Sequence, residues 1–163
     1  MLPRSSVTPV VKIRDGTAAD RDFVIATAQR FAAFGPPPWR SADEVVAGEV
    51  RYLNDFFDGH LKGPLLLVAT TASEEPIGFA LLEPVVDYFS GEPHAHLGMI
   101  AVTEAAEGTG ASTALMRAAE HRARAQGFTK ITLNVFERNA RARRLYEKLG
   151  FAVEIVRYVK PLT

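Results

Sequence analysis

The stretch LGMIAVTEAAEGTGASTALMRAAEHRARAQ, Leu97–Gln126, decides how the rest of the chain is interpreted. Its first six residues, Leu97–Val102, have the composition and length of a buried strand. A polar turn with Gly108 and Gly110 follows, and then a long segment without glycine or proline. The apolar residues of that segment recur on one side of a helix. The stretch therefore predicts a strand, a glycine turn and a helix.

The predicted turn has a chemical consequence. The first N–H groups of a helix have no partner within the helix, and the helix dipole places about half a positive charge there. Glycines just before a helix let a ligand approach the backbone closely. The turn over Thr103–Thr109 is therefore predicted to bind an anion, most often a phosphate.

Length and composition indicate one globular domain over residues 1–163, with residues 1–9 expected to be flexible. The 19 basic and 19 acidic residues give a formal net charge of zero, so nothing global favours nucleic-acid or membrane binding. Cysteine is absent, which excludes disulfides, thiolate metal sites and a cysteine nucleophile. The first residues lack an apolar signal core and the apolar runs are too short to span a bilayer, so a cytoplasmic location is expected.

A histidine pair raises the possibility of a metal site. His94 and His96 are separated by one residue and would share one face of a strand. Two such histidines can contribute to a zinc site, but the sequence offers no convincing third ligand. A zinc site on these two histidines therefore remains a minor alternative, and the main expectation is a protein without a metal.

The rest of the pattern predicts a mixed order of strands and helices. Strands are predicted at 10–14, 65–71, 77–82, 95–102, 130–135 and 152–159, and helices at about 18–34, after a Ser41 cap, after the glycine turn, and at 139–149. This order is typical of an α+β domain, with helices packed on a mixed sheet. The strand–helix–strand unit at 95–135 predicts a parallel crossover.

Two motifs together resemble the GNAT N-acetyltransferase superfamily. In EGTGAS, Glu107–Ser112, Gly110 matches the family's central glycine, although Glu107 replaces the usual Arg or Gln and Ser112 the last Gly or Ala. The segment NARARRLYEKLGF, Asn139–Phe151, fits the family's N-x-x-A-x-x-L-Y-x-K-x-G-F pattern at every specified position. The resemblance implies a three-layer arrangement, with a mixed central β-sheet and helices on both faces.

The resemblance also implies acetyl-CoA as cosubstrate, with no metal. The pyrophosphate would lie on backbone N–H groups of the turn, and the pantetheine arm would run beside the strand as a pseudo-strand. Asn139 would contact the pantetheine arm and Tyr146 the sulfur region. The residues expected to bind the cosubstrate are Ile100, Ala101, Val102, Glu107, Gly108, Thr109, Gly110, Ala111, Ser112, Asn139 and Tyr146.

Acetyl transfer to an amine by direct attack on a thioester is helped by a base and an acid. An alkyl amine has a pKa near ~10.4 and a thiol near ~8.5, so both proton transfers need assistance at neutral pH. Within the motif, Tyr146 is the expected acid, because a phenol donates a hydrogen bond without being charged. The alternative is a tyrosine that simply packs on the helix face with Leu145 and Leu149.

The base is left open. The strand residues Leu97–Ile100 contain no carboxylate. Strict alternation puts His96 on the same face as Ile100 and Val102. The expected oxyanion donor is a backbone N–H of the Ile100–Val102 strand. Gly98 predicts a bulge that opens such an N–H, and the alternative is a small residue that lies under a neighbouring helix. The candidate bases are Glu83 and His96, followed by His94 and Asp87.

The chain is therefore predicted to be an acetyl-CoA-dependent N-acetyltransferase that acts on a primary amine of a small molecule or peptide. Phe34, Trp39, Tyr88 and Phe89 are the possible walls of the acceptor pocket. The main alternative is a catalytically weak acyl-CoA-binding or partner-binding module of the same fold, which Glu107 favours and Tyr146 disfavours. Nucleic-acid binding by the basic 138–148 helix is disfavoured by the zero net charge, and a homodimer is plausible.

Overall fold

A computed structural model describes residues 9–162 of the chain. The predicted flexible leader at residues 1–9 lies, except for Pro9, outside the described residues. Five strands form one sheet in the order β1–β2–β3–β4–β5, in which β4 and β5 are parallel and all other neighbours antiparallel. The strands are β1 (Lys12–Asp15), β2 (Leu65–Thr70), β3 (Pro76–Val86), β4 (Pro93–Val102) and β5 (Ile131–Leu133).

Four α-helices and three short 3-10 turns complete the described fold. The helices are α1 (Arg21–Thr27), α2 (Ala42–Phe57), α3 (Ala111–Ala125) and α4 (Ala140–Lys148). The 3-10 turns are Ala18–Asp20, Ala28–Ala32 and Glu104–Ala106, so the single helix predicted at 18–34 is divided into three pieces. No helix within residues 9–162 is long and apolar enough to cross a lipid bilayer.

The sheet buries an apolar core on each face. The α3 core contains Leu67, Ala69, Ala80, Leu82, Ala95, Leu97, Ala111, Leu115, Met116, Ala119 and Ala123. The α1–α2 core contains Val24, Ala28, Leu53, Leu66, Val68, Phe79, Leu81, Met99 and Ala101. The predicted α+β fold, with helices on both faces of a mixed sheet, is confirmed.

Local capping signals explain where the first helical segments begin. The Ser41 hydroxyl accepts a hydrogen bond from the N–H of Glu44 at 3.0 Å, as its position before α2 predicts. The Thr17 N–H donates to the Asp20 carboxylate at 2.8 Å, and Arg14 holds both oxygens of that carboxylate. These contacts fix the end of β1 and the start of the first 3-10 turn.

The last strand, predicted at 152–159, is absent. The chain from Phe151 to residue 162 forms no helix or strand, and Val153, Ile155 and Tyr158 are exposed. The predicted alternation was imperfect, and β5 pairs with β4 alone, so this segment lacks the ladder partner that a strand needs. The strand predicted at 130–135 is also shorter, because pairing with β4 stops at Leu133.

A bulge interrupts β4 at Gly98. Leu81 lies opposite Met99 and Leu82 lies opposite Leu97, so Gly98 is an extra residue without a partner on β3. The bulge predicted at this glycine is confirmed.

The bulge corrects the face predicted for His96. Ala95 and Leu97 lie in the α3 core, and beyond the extra residue the same core is contacted by Ile100 and Val102. His96 therefore points to the opposite face, toward α1 and α2. Simple alternation gave the wrong face because it counted through the bulge.

Gly78 allows β3 to lie close to the end of β4. A Cβ at Gly78 would be 2.8 Å from Cγ1 of Val102 and 2.9 Å from the backbone oxygen of Ala101. Because a backbone atom cannot rotate away, we expect Gly78→Ala to lower the free energy of unfolding by about 1–3 kcal/mol in urea titrations. Gly48→Ala is the control, since its nearest contact would be 3.9 Å away and alanine favours the α2 helix. An unchanged free energy for Gly78→Ala would show that the strands can move apart freely.

Candidate active site

The site begins where β4 and β5 separate. β5 pairs with β4 only through Ala95–Leu97, whereas β3 stays paired with β4 as far as Val102. Among the described residues, the β5-facing edge of Gly98–Val102 thus has no strand partner. An unpaired strand edge offers N–H and C=O groups to an extended ligand.

The glycine turn lies at the end of this open edge. Gly108 and Gly110 have φ angles of 75° and 87°, a conformation that side chains disfavour, and Gly110 is the N-cap of α3. Within residues 9–162, the N–H groups of Gly110, Ala111 and Ser112 donate to no acceptor. A Cβ at either glycine would meet nothing within 4 Å, so the turn faces open space. The predicted anion site is therefore open to a ligand. The hydroxyl of Thr109 is not directed to that site, because it donates to the backbone oxygen of Ala106.

Glu107 is held by two arginines from distant parts of the chain. Its two carboxylate oxygens bind Arg30, from the 3-10 turn after α1, and Arg141, from the first turn of α4. The hydrogen bond from Arg141 is the main cause that holds the pKa of Glu107 below its usual range. The carboxylate is therefore ionised at neutral pH and its charge is compensated.

Tyr146 lies on the α3 side of the opening. Its ring packs against the α3 core, which Ile100 and Val102 of the open edge also contact. The ring centroid of Phe151 is 6.1 Å away. Burial raises the pKa of the Tyr146 hydroxyl, so the phenol is protonated at neutral pH. Among the described contacts, this hydroxyl has no acceptor and remains able to donate to a ligand.

Asn139 is the N-cap of α4. Its side-chain oxygen accepts a hydrogen bond from the N–H of Ala142 at 3.2 Å, which is the role that its position before the helix predicts. The amide NH2 group is left for another partner. Contact with a pantetheine arm stays a prediction for this residue.

Glu83 and Tyr52 form a pair on the opposite face of the sheet. The Tyr52 hydroxyl, from α2, donates to Oε2 of Glu83. Burial and this hydrogen bond both raise the pKa of Tyr52. The other oxygen, Oε1, would be 2.7 Å from a Cβ on Gly98, so the bulge glycine gives the carboxylate room beside the open edge.

His94 and His96 share one hydroxyl. Nε2 of His94 and Nδ1 of His96 lie 2.9 and 2.8 Å from Oγ1 of Thr132 on β5. The two histidines lie on one face, as their spacing predicts. The region 9–162 contains no group of three side chains suited to hold a metal ion.

Burial of His96 makes a prediction about stability. Burial is the main cause that lowers the pKa of His96, so the folded protein favours the neutral ring. The resulting stabilisation is present above the unfolded-state pKa, near ~6.5, and is lost as the pH falls through the lower folded-state value. We expect the wild-type free energy of unfolding to fall between pH 7.5 and about 5, and to fall less in His96→Gln. Equal slopes for the two proteins, in urea unfolding at several pH values, would contradict this.

Asp87 and two predicted wall residues do not lie in the opening. Asp87 accepts the N–H groups of Phe89 and Ser90 and binds Lys130, and this ion pair is the main cause that lowers its pKa. Such a carboxylate is a weak base, and it serves to shape the β3–β4 loop. Tyr88 and Phe89 are 93% and 78% exposed at the tip of that loop, which does not suit pocket walls.

A pocket of about 360 Å³ lies between α2 and Phe136, which follows β5. Phe136 stacks on Phe34, with ring centroids 5.1 Å apart, but Phe34 is not itself among the lining residues, so its role as a wall stays a prediction. Trp39 is 47% exposed and is not among the lining residues. The lining consists of Arg40, Glu44, Val45, Gly48, Glu49, Arg51, Tyr52 and Phe136.

Among the residues that bind the predicted site residues, three were not predicted from the sequence: Tyr52, Thr132 and Arg30. Tyr52 lies beside the apolar stripe of α2, and this position is its only local signal. Thr132 lies opposite His96 in the β4–β5 register. Alternation within two predicted strands is compatible with this pairing but does not determine it. Arg30 meets Glu107 across 77 positions of sequence, and no local pattern encodes that contact.

Comparison with known proteins supplies the family. A model of the acetyltransferase (GNAT) family matches residues 28–151. No curated protein matches the chain.

Solved structures with the same fold are similar over almost the whole chain. A proposed acetyl transferase from Pyrococcus furiosus is 23% identical with a TM-score of 0.77, covering 94% of this chain and 100% of that one. A ribosomal-protein-alanine N-acetyltransferase from Brucella melitensis biovar Abortus 2308 is 19% identical with a TM-score of 0.69, covering 94% and 100%. An aminoglycoside 6′-N-acetyltransferase from Acinetobacter haemolyticus is 19% identical with a TM-score of 0.66, covering 93% and 99%.

Proposed function

The chain belongs to the acetyltransferase (GNAT) family, and on this premise we propose that it transfers an acetyl group from acetyl-CoA to a primary amine. The acceptor is a small molecule or a peptide, and its nitrogen attacks the thioester directly. One observation carries most of the support: the open edge of Gly98–Val102 ends at a turn with free N–H groups. Tyr146 and Glu83 lie on opposite sides of that edge.

The proposal places acetyl-CoA along this opening. The free N–H groups of Gly110, Ala111 and Ser112 suit the pyrophosphate, since they carry the positive end of the α3 dipole. The pantetheine arm has amide groups that can pair with the β5-facing edge of Ile100–Val102 as a strand would. The thioester then comes to rest near the Gly98 bulge, and no metal is part of the proposal.

The proposed reaction forms a C–N bond and breaks the C–S bond. The amine attacks the thioester carbonyl, whose oxygen takes up negative charge and is stabilised by a backbone N–H near Gly98. The amine gives a proton to a base, and the leaving thiolate accepts one from Tyr146. The neutral, half-buried phenol of Tyr146 suits this role because it donates without bringing a charge into the opening.

Glu83 is the base that the contacts favour. One carboxylate oxygen lies against the Gly98 bulge, and Tyr52 fixes the other. His96 lies opposite Glu83 in the β3–β4 register, but its Nδ1 is directed to Thr132. We therefore assign proton abstraction to Glu83, directly or through one water, and a positioning role to Tyr52.

The pocket between α2 and Phe136 is the proposed acceptor site. Tyr52 lines it and connects it to Glu83. Glu49 also lines it, and burial raises the pKa of this carboxylate. A bound ammonium would reverse that effect of burial by favouring the charged form of Glu49. Arg40 is paired with Glu44, so the remaining charged groups of the lining are Glu49 and Arg51, and Glu49 is the group that would hold an ammonium.

The test is acetyl-CoA turnover with a panel of amines. The panel contains a small diamine, a lysine peptide, a peptide with N-terminal alanine and an aminoglycoside, the last two being suggested by the names of similar structures. Release of free CoA thiol and the mass of the acceptor are measured together. We expect thiol release that depends on one of these amines and equals the amount of acetylated product.

A module that binds acyl-CoA without catalysis is the second candidate function, and Glu107 favours it. The carboxylate of Glu107 is paired with Arg30 and Arg141, and it lies at the turn where the phosphates would bind. Such a module would bind acetyl-CoA in calorimetry and release no thiol with any amine. The cytoplasmic location and the homodimer stay predictions.

A further inference from the structure

The ion pairs of Glu107 join two parts of the chain that border the opening. Arg30 belongs to the 3-10 turn Ala28–Ala32, and Arg141 to the first turn of α4. One carboxylate oxygen serves each arginine. The side chains of Arg30 and Glu107 are only 28% and 31% exposed, whereas Arg141 is 64% exposed. We call this arrangement the Arg30–Glu107–Arg141 bridge.

Two further contacts join the same parts of the chain. Phe34 stacks on Phe136, and the Arg138 guanidinium donates to the backbone oxygen of Pro36 at 2.8 Å. The segment 28–36 is thus held to the segment 136–141 at three points, of which the bridge is the most strongly charged. Phe136 also lines the proposed acceptor pocket, and Phe34 packs on its ring. Movement of segment 28–36 therefore changes the surroundings of a wall residue of that pocket.

The charges of the bridge suit a competitor with more negative charge than Glu107. Two guanidinium groups and one carboxylate leave a formal surplus of one positive charge, directly beside the free N–H groups of the turn. A pyrophosphate carries more charge than a carboxylate and accepts bidentate hydrogen bonds from arginine. The same ligand repels Glu107, which is ionised at neutral pH.

We propose that Glu107 is an internal anion that couples the cosubstrate site to the acceptor pocket. The phosphate groups of the incoming ligand take Arg141, the more exposed arginine, and repel the Glu107 carboxylate from the bridge. Segment 28–36 is then held to segment 136–141 by the Phe34–Phe136 and Arg138–Pro36 contacts alone. This inference rests on the proposed function for the identity of the ligand. It makes the acceptor pocket more accessible once acetyl-CoA has bound.

The experiment combines hydrogen exchange of segment 28–36 with calorimetry, using acetyl-CoA and inorganic pyrophosphate as probes. The variant is Glu107→Gln, which keeps the shape and removes the charge. The matched control is Glu104→Gln, because Glu104 is an exposed acid three residues earlier, at the start of the preceding 3-10 turn.

We expect either probe to speed exchange of segment 28–36 in the wild type and in Glu104→Gln. In Glu107→Gln exchange is expected to be fast without a probe and to change little when one is added. Glu107→Gln is also expected to bind acetyl-CoA roughly two- to fivefold more tightly, the size of one part-exposed ion pair.

Two results would overturn the inference: unchanged exchange of segment 28–36 in the wild type with both probes, or binding by Glu107→Gln no tighter than by Glu104→Gln. Failure of the wild type to bind acetyl-CoA at all would instead overturn the proposed function. In that case the response of segment 28–36 to pyrophosphate decides the inference by itself.

Discussion

Replacing Tyr146 with phenylalanine is expected to lower kcat by about ten- to a hundredfold, with the dissociation constant of acetyl-CoA almost unchanged. The substitution removes the hydroxyl that would protonate the leaving thiolate and keeps the ring that packs against the α3 core. Because general-acid catalysis acts in the transition state, the loss falls on kcat and not on binding. Stopped-flow thiol release and calorimetry with acetyl-CoA measure the two quantities.

Tyr158→Phe is the matched control for this prediction. Tyr158 is 91% exposed in the segment after Phe151, so removal of its hydroxyl takes away a group that already faces solvent. Its variant is expected to turn over like the wild type. If Tyr146→Phe also retained wild-type kcat, the acid would have to be another group or solvent, and Tyr146 would be a packing residue.

Replacing Glu83 with glutamine is expected to lower kcat/KM by about a hundredfold or more at neutral pH. Glutamine keeps the size of the side chain and a carbonyl oxygen for the Tyr52 hydroxyl, but it cannot take a proton from the amine. The value of kcat/KM at neutral pH, measured with one amine for the wild type and the variant, checks this effect.

Two further variants test whether position matters as well as charge. Gly98→Ala would put a methyl group 2.7 Å from Oε1 of Glu83, which must then rotate away. Its activity should fall while the fold is kept, because the atom displaced is the end of a flexible side chain. Glu75→Gln, in the exposed loop between β2 and β3, serves as the control for charge alone. Wild-type activity of Glu83→Gln would transfer the role of base to His96 or to solvent.

The parts of the fold that could be predicted are those with local chemical signals. Ser41, Gly110 and Asn139 mark the starts of α2, α3 and α4, because caps and left-handed glycines act within one turn of the chain. The Gly98 bulge could be suspected for the same reason. These signals were sufficient to place the glycine turn between β4 and α3.

The parts that could not be predicted depend on contacts between distant residues. Glu107 replaces the usual Arg or Gln of the turn, and no local pattern predicts that Arg30 and Arg141 bind its carboxylate. The segment 152–159 has the composition of a strand but does not join the sheet. A strand also needs a second strand to pair with, and the sequence of one segment does not specify that partner. His96 was assigned to the wrong face because one extra residue reverses the alternation.

The most direct test of the proposed function is CoA thiol release by the wild type at fixed acetyl-CoA and increasing amine, beside Tyr146→Phe. We predict release that saturates with one of the amines, matches the acetylated product in amount, and is at least tenfold slower in the variant. Acetyl-CoA binding without amine-dependent release, for every amine in the panel, would contradict catalysis and leave the acyl-CoA-binding module as the function of this fold.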